Sequence, residues 1–188
     1  MSVIDPANVF AIPANRQRAR KTTSRKDRLT LTKLQAKRFT ELDRLYSQLT
    51  PPDTLNKLNG RRDGVLLAIA GVHRTPIGQL LNLLGKTPFF PWTGKNFSAR
   101  SLIKGSGINR INLTIAKQEW FAFQTTFKPS LIDKRPCIQL NYNLQGNPWF
   151  VRQLVDELRE VEPGLYLGTT LCKTSKGRIK LLYFAIGE

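Results

Sequence analysis

The chain is poor in the residues that carry most site chemistry: among 188 residues there is one histidine and there are two cysteines, and Asp plus Glu number only 13. A single histidine without a clustered carboxylate pair does not supply a metal site. Cys137 and Cys172 are too far apart to form a CxxC zinc or thiol-redox pair. They read as reduced, buried thiols in an intracellular protein, with a disulfide as the other reading. No GxSxG elbow is present. Gly85-Lys86-Thr87 is not the end of a phosphate-binding loop, because Leu80 stands where that motif needs a glycine. No run of about 20 apolar residues exists to span a membrane as a helix. The first residues lack the apolar core of a secretory signal, so the expected location is the cytoplasm. No internal repeat is found, and no cofactor or metal is expected.

Scarcity of acid leaves 30 Lys/Arg and a net charge of +17. The charge is uneven. Between Asp5 and Asp27 no acidic residue occurs, while Arg16, Arg18, Arg20, Lys21, Arg25 and Lys26 crowd together. Low hydrophobicity and mutual repulsion give residues 1–30 little reason to pack, so they read as a basic, flexible arm. Three roles fit such an arm: a solubilising tail, a contact for nucleic acid or another anionic surface, or an organelle-targeting segment.

Beyond the arm, 40% hydrophobic residues suffice for a core. Leu31, Leu34, Leu42, Leu45, Tyr46 and Leu49 share one face of an expected amphipathic helix over 31–50, stopped by Pro51-Pro52. Residues 64–72 read as a covered strand, and 76–85 as a short helix between Pro76 and Gly85. A proline- and aromatic-rich bend at 86–97 leads into another strand. Gly105–Gly107 reads as a turn, followed by alternation that puts Ile111, Leu113 and Ile115 opposite Arg110, Asn112 and Thr114. Phe121, Phe123 and Phe127 share a strand face, as do Ile138, Leu140, Tyr142 and Leu144.

The spacing over 147–162 predicts a helix: Asn147 as N-cap, Pro148 at the first position, and Val151, Leu154, Val155, Leu158 and Val161 as its apolar stripe. Asp156, Glu157, Glu160 and Glu162 then fall on a solvated face. Two strands, separated by a Thr-Ser-Lys-Gly turn, run to the C-terminus. The last is apolar on both faces and reads as a core strand. About seven or eight strands at regular turn spacing favour an antiparallel meander that rolls into a barrel or sandwich.

Gly60…Gly64, Gly71-Val-His73, and Trp92-Thr-Gly94-Lys95-Asn-Phe97 together resemble the GxWxG-type module of small bacterial proteins. The stretch from Asn141 through Gly164, Leu167 and Gly168 to Ile186 is similar to the closing elements of the same lipocalin-like proteins. The namesake tryptophan is absent between its glycines. Over residues 52–188 the resemblance implies a lipocalin-like (calycin-type) up-and-down barrel with an apolar ligand cavity. With the helices read over 31–50 and 147–162, the expected fold is mainly β, with an N-terminal helix and a C-terminal helix before the last hairpin.

The expected function is therefore non-catalytic binding of a small hydrophobic or amphipathic molecule. An eight-stranded barrel can hold one such ligand. Phe121, Phe123, Phe127, Leu140, Tyr142 and Trp92 are the candidate lining, and Arg110 and His73 are further polar contacts. The same aromatics could instead fill a closed core. Two other classes fit: nucleic-acid or anionic-surface binding through the arm, and an isomerase- or cyclase-type enzyme using His73 on an apolar substrate.

Overall fold

The computed structural model describes residues 28–70, 92–113 and 116–188. Eight antiparallel strands form a closed up-and-down barrel. They are β1 (Gly60–Ile69), β2 (Trp92–Ala99), β3 (Lys104–Leu113), β4 (Ala116–Pro129), β5 (Pro136–Asn141), β6 (Leu154–Glu162), β7 (Leu165–Thr174) and β8 (Gly177–Gly187). Each strand pairs with its neighbours in sequence, and β8 returns to pair with β1. Among the described residues every strand has a paired neighbour on both sides, which is how a meander of short alternating strands avoids exposing backbone. The basic residues from Arg16 to Lys26, His73, the helix expected over 76–85, and Thr114 and Ile115 lie outside the described residues.

One end of the barrel is where β1 begins and β8 finishes. A single 3-10 turn, Leu55–Leu58, lies across it, with Leu55 and Leu58 buried in the interior cluster. The turn leaves carbonyls without helical partners, and Arg62 supplies donors to them: Nε to Leu58 O at 3.2 Å, Nη2 to Lys57 O at 2.9 Å and to Asn59 O at 3.2 Å. Tyr166 Oη donates to Lys57 O at 3.1 Å. At the opposite end, Phe150 and the 3-10 turn Val151–Gln153 pack against the interior.

Inside, three large rings lie over strand glycines. An added Cβ on Gly64 would meet the Trp92 ring at 2.3 Å, on Gly107 the Phe123 ring at 2.5 Å, and on Gly168 the Phe184 ring at 2.3 Å. A strand glycine normally weakens a sheet, but here it makes room for an aromatic side chain from a neighbouring strand. Gly168→Ala should therefore destabilise by about 1–3 kcal/mol, the cost of overpacking a filled site. Urea unfolding checks this. A loss below half a kcal/mol would mean that Phe184 has room to move.

The outer face of β7, β8 and β1 is covered by two short helices, α1 (Leu31–Gln35) and α2 (Phe39–Gln48). Leu34, Leu42 and Tyr46 form a second apolar layer with Leu167, Tyr183 and Ala185. The single helix expected over 31–50 is thus broken at Ala36–Arg38, and Leu31 is largely exposed. α2 restarts with a capping box in which the Arg38 N–H donates to the Glu41 carboxylate.

Two further expectations are corrected. Residues 147–162 are not a helix: after the one 3-10 turn, Leu154–Glu162 is β6, paired with β5 and β7. The same residues carry a period of two as well as a helical stripe. Leu154, Asp156, Leu158 and Glu160 pair with the inward positions of β7, while Glu157 and Arg159 point to the opposite face. Pairing on both sides decides between the two periods, and Pro163-Gly164 ends a strand instead of a helix. Gly105 and Gly107 are not a turn either. They lie within β3, and the turn is at 100–103.

Candidate functional site

Lys95 and Trp92 are three residues apart, so an unbroken strand would place them on opposite faces. A register shift between Trp92 and Gly94 adds a residue and turns both inward. Gly94 adopts φ +133°, and a Cβ there would lie 2.1 Å from Arg62 O. Only glycine fits this position.

The consequence is an ammonium group in the middle of the barrel. Lys95 is 3% exposed, and its Nζ donates to Asp156 Oδ2 at 2.8 Å, Tyr142 Oη at 2.6 Å and Asn109 Oδ1 at 2.7 Å. Those three contacts use all three ammonium hydrogens. Asp156 accepts in addition from Tyr142 Oη at 2.8 Å and from Thr170 Oγ1 at 2.7 Å. Asn109 Oδ1 also takes the Trp92 indole N–H at 3.0 Å, and its Nδ2 donates to Tyr142 Oη at 3.2 Å and Phe121 O at 3.1 Å. The Phe121 carbonyl is available because a bulge in β4 holds Phe121 at φ 61°, a costly conformation for a non-glycine residue.

Around the ammonium lie the rings of Trp92, Phe123, Tyr142 and Phe184, with centroids 5.1–5.4 Å from Nζ. Ring faces and one carboxylate together offset part of the cost of removing a cation from water. Burial pushes the Lys95 ammonium below its ordinary value, against the pull of Asp156. Burial, reinforced by the charge of Asp156, pushes the Tyr142 phenol well up.

A second buried network lies on the outer face of β6. Glu157 accepts from Ser130 Oγ at 2.6 Å, the Leu131 N–H at 2.6 Å and Tyr46 Oη at 3.4 Å. Arg159 lies over the Tyr46 ring at 4.4 Å and forks onto both oxygens of Asp133 at 2.7 and 2.8 Å. These residues tie α2 and the β4–β5 turn to the barrel wall, and they face away from the interior.

Of the expected lining residues, Phe123, Leu140 and Tyr142 are buried in the interior cluster, and Trp92, Phe121 and Phe127 pack against it partly buried. Arg110 is a different case. It follows Asn109 in β3 and faces outward, where Nη2 donates to Asp63, Arg62 O and Thr93 O. It does not meet the interior. Cys137 and Cys172 are both free and buried. Sequence reasoning passed over Lys95, Asn109, Asp156 and Thr170 as site residues. Lys95 was visible inside the Trp92–Phe97 motif, whereas Asp156 was hidden by the helical reading of β6.

Partial burial of the interior apolar residues is concentrated at one end. Leu66, Ile69, Trp92, Phe121, Phe150, Leu154 and Ile179 are partly buried towards the end remote from the Leu55–Leu58 turn, compared with Ala99 and Phe127 towards the sealed end. Among the described residues no three His, Cys, Asp or Glu side chains are grouped to hold a metal ion, and no helix is long and apolar enough to cross a membrane.

The fold and the interior network define a closed eight-stranded antiparallel barrel with a polar centre. No family model matches the chain, and no curated protein matches it. Among solved structures it is similar to a protein from Thermomonospora curvata, at 15% identity over 81% of this chain and 88% of that one, with a TM-score of 0.50. At that identity the likeness shows the fold alone.

Proposed function

We propose that the protein is a lipocalin-like barrel that binds a small hydrophobic or amphipathic molecule without covalent catalysis. The observation that carries this reading is the asymmetry of the interior. One end is filled by Leu55 and Leu58, while the other presents a ring of half-buried apolar side chains above the Lys95–Asp156 network. Concave apolar surface with a few convergent polar groups is the usual character of a small-molecule site. In this reading the ligand's apolar body lies against Trp92, Phe121, Leu66 and Leu154, and the network forms a polar floor.

That floor favours binding over proton transfer or amine chemistry. As an ammonium paired with Asp156, with all three hydrogens on protein acceptors, Lys95 has no lone pair for attack on a carbonyl. An uncharged or weakly polar ligand can lie on such a floor without displacing any of its bonds.

Titration with an uncharged fluorescent apolar probe, alongside native mass spectrometry, tests the reading. One-to-one binding that weakens at least tenfold on Leu154→Asp is the expected result. No binding in either measurement would contradict it.

A further inference from the structure

The barrel end sealed by Leu55 and Leu58 carries a surface that the ligand reading does not use. The β2–β3 turn there runs Arg100-Ser101-Leu102-Ile103-Lys104, every residue exposed. Leu102 and Ile103 are each 58% exposed, and in the neighbouring β4–β5 turn Ile132 is 40% exposed. β3 and β4 are paired along their length, with Lys104 opposite Thr126, so the two turns leave the barrel from adjacent strands at the same end. The Leu55 N–H donates to Leu102 O at 2.9 Å, which fixes the first turn against the sealing turn.

Charge at this end is one-sided. Asp53 pairs with Lys57, Asp133 with Arg159, and Glu188 with Arg62, while Glu162 accepts the Leu29 N–H. These acids are engaged by groups of the protein itself. Arg100, Lys104, Lys128, Lys134 and Arg135 are exposed at the same two turns, and no ion pair among the described residues engages their side chains. The Leu29 contact with Glu162 also brings the start of the described chain to this end, directly after the basic stretch Arg16–Lys26.

We propose that the β2–β3 and β4–β5 turns dock the barrel, sealed end first, on an anionic lipid bilayer. Leu102, Ile103 and Ile132 enter the boundary between headgroups and acyl chains, and the five cations lie at headgroup level against lipid phosphates. Adjacent apolar side chains at a turn tip, flanked by cations, satisfy both requirements of peripheral attachment: apolar area to bury, and charge to attract an acidic surface. A nucleic acid would use the cations but would leave the Leu-Ile tip without an apolar partner.

The test is sedimentation of the full chain with phosphatidylglycerol-containing vesicles and with pure phosphatidylcholine vesicles. Binding to the anionic vesicles is expected, with loss of at least tenfold on pure phosphatidylcholine and in high salt. Leu102→Ser/Ile103→Ser, at exposed positions that leave the core intact, should weaken anionic-vesicle binding at least tenfold and leave the circular dichroism spectrum unchanged. The same variant should bind RNA as the parent does. Vesicle binding unaffected by the tip substitutions would overturn the proposal in favour of attraction through charge alone. Absence of binding to either vesicle would overturn it outright, as would an equal loss of RNA binding in the tip variant.

Discussion

Asp156→Ala is expected to lower the free energy of unfolding by about 3–5 kcal/mol, the usual cost of removing one member of a buried ion pair. The substitution takes the shared acceptor from the Lys95 ammonium, the Tyr142 hydroxyl and the Thr170 hydroxyl together. Water cannot readily replace it, since Lys95 and Tyr142 are each 3% exposed. Removing both charges is a different matter. In Lys95→Met/Asp156→Leu no unpaired charge is left in the barrel interior, so the double variant should recover more than half of the loss although the Tyr142 and Thr170 hydroxyls lose their acceptor. Urea unfolding of the parent, Lys95→Met, Asp156→Leu and the double variant gives the coupling energy directly. A loss below about 1 kcal/mol for Asp156→Ala would place the pair in water, where such pairs are worth little.

The second large effect is alkaline. All four tyrosines of the chain, Tyr46, Tyr142, Tyr166 and Tyr183, are buried. Burial is the first cause that raises each phenol above its ordinary value of 10.0. Tyr166 is pushed up to about 12. Native phenols therefore hold their protons more tightly than unfolded ones. Their contribution to stability is fully present below pH 10 and is lost as the pH climbs from there towards the native values.

Each tyrosine removes about 1.4 kcal/mol per pH unit in that window. Lys95 has the opposite sign, because its native value is depressed. Rising pH favours the folded state through that one group, against four phenols. The expected result is that phenolate absorbance stays flat past pH 10 and then rises in one cooperative step, coincident with loss of the β-sheet circular dichroism signal. A gradual titration centred on pH 10 in the folded protein would contradict the packing described here.

The barrel was legible because alternation is a local signal. In β5 the sequence Ile138, Gln139, Leu140 changes face at each residue, and the structure buries Ile138 and Leu140 inside as the period requires. The turn at Thr174–Gly177 and the core character of β8 were legible for similar reasons, with Gly177 at φ +116°. β6 was not, because its residues satisfy a helical stripe and a strand alternation at once. The residues that looked like a wet helix face, Asp156 and Glu157, are 3% and 0% exposed. Their partners come from β2, β5, β7, α2 and the β4–β5 turn, and no window of β6 alone contains them. Charge in a strand reads as solvent exposure unless the partner is known, and the partner of Asp156 is 61 residues away.

The inward turn of Lys95 was hidden for another reason. It depends on a bulge at Trp92–Gly94, and Gly94 signals only that some unusual backbone is present. The broken N-terminal helix belongs with these cases. The Leu31 to Leu49 stripe is continuous in sequence, but the chain breaks at Ala36–Arg38, with Leu34 and Leu42 both buried against the barrel wall and Leu31 left outside.

In the proposed function a small molecule lies against Trp92 above the Lys95–Asp156 floor. The chain has three tryptophans, and they occupy distinct settings: Trp92 in the interior with its indole N–H on Asn109, Trp120 part-exposed in β4, and Trp149 exposed. Their indole N–H signals, followed by two-dimensional NMR during titration with a medium-chain alcohol, report where the ligand sits. A saturable shift of the Trp92 signal while Trp149 stays in place is expected. A shift confined to Trp149, or none at all, would contradict the proposed function.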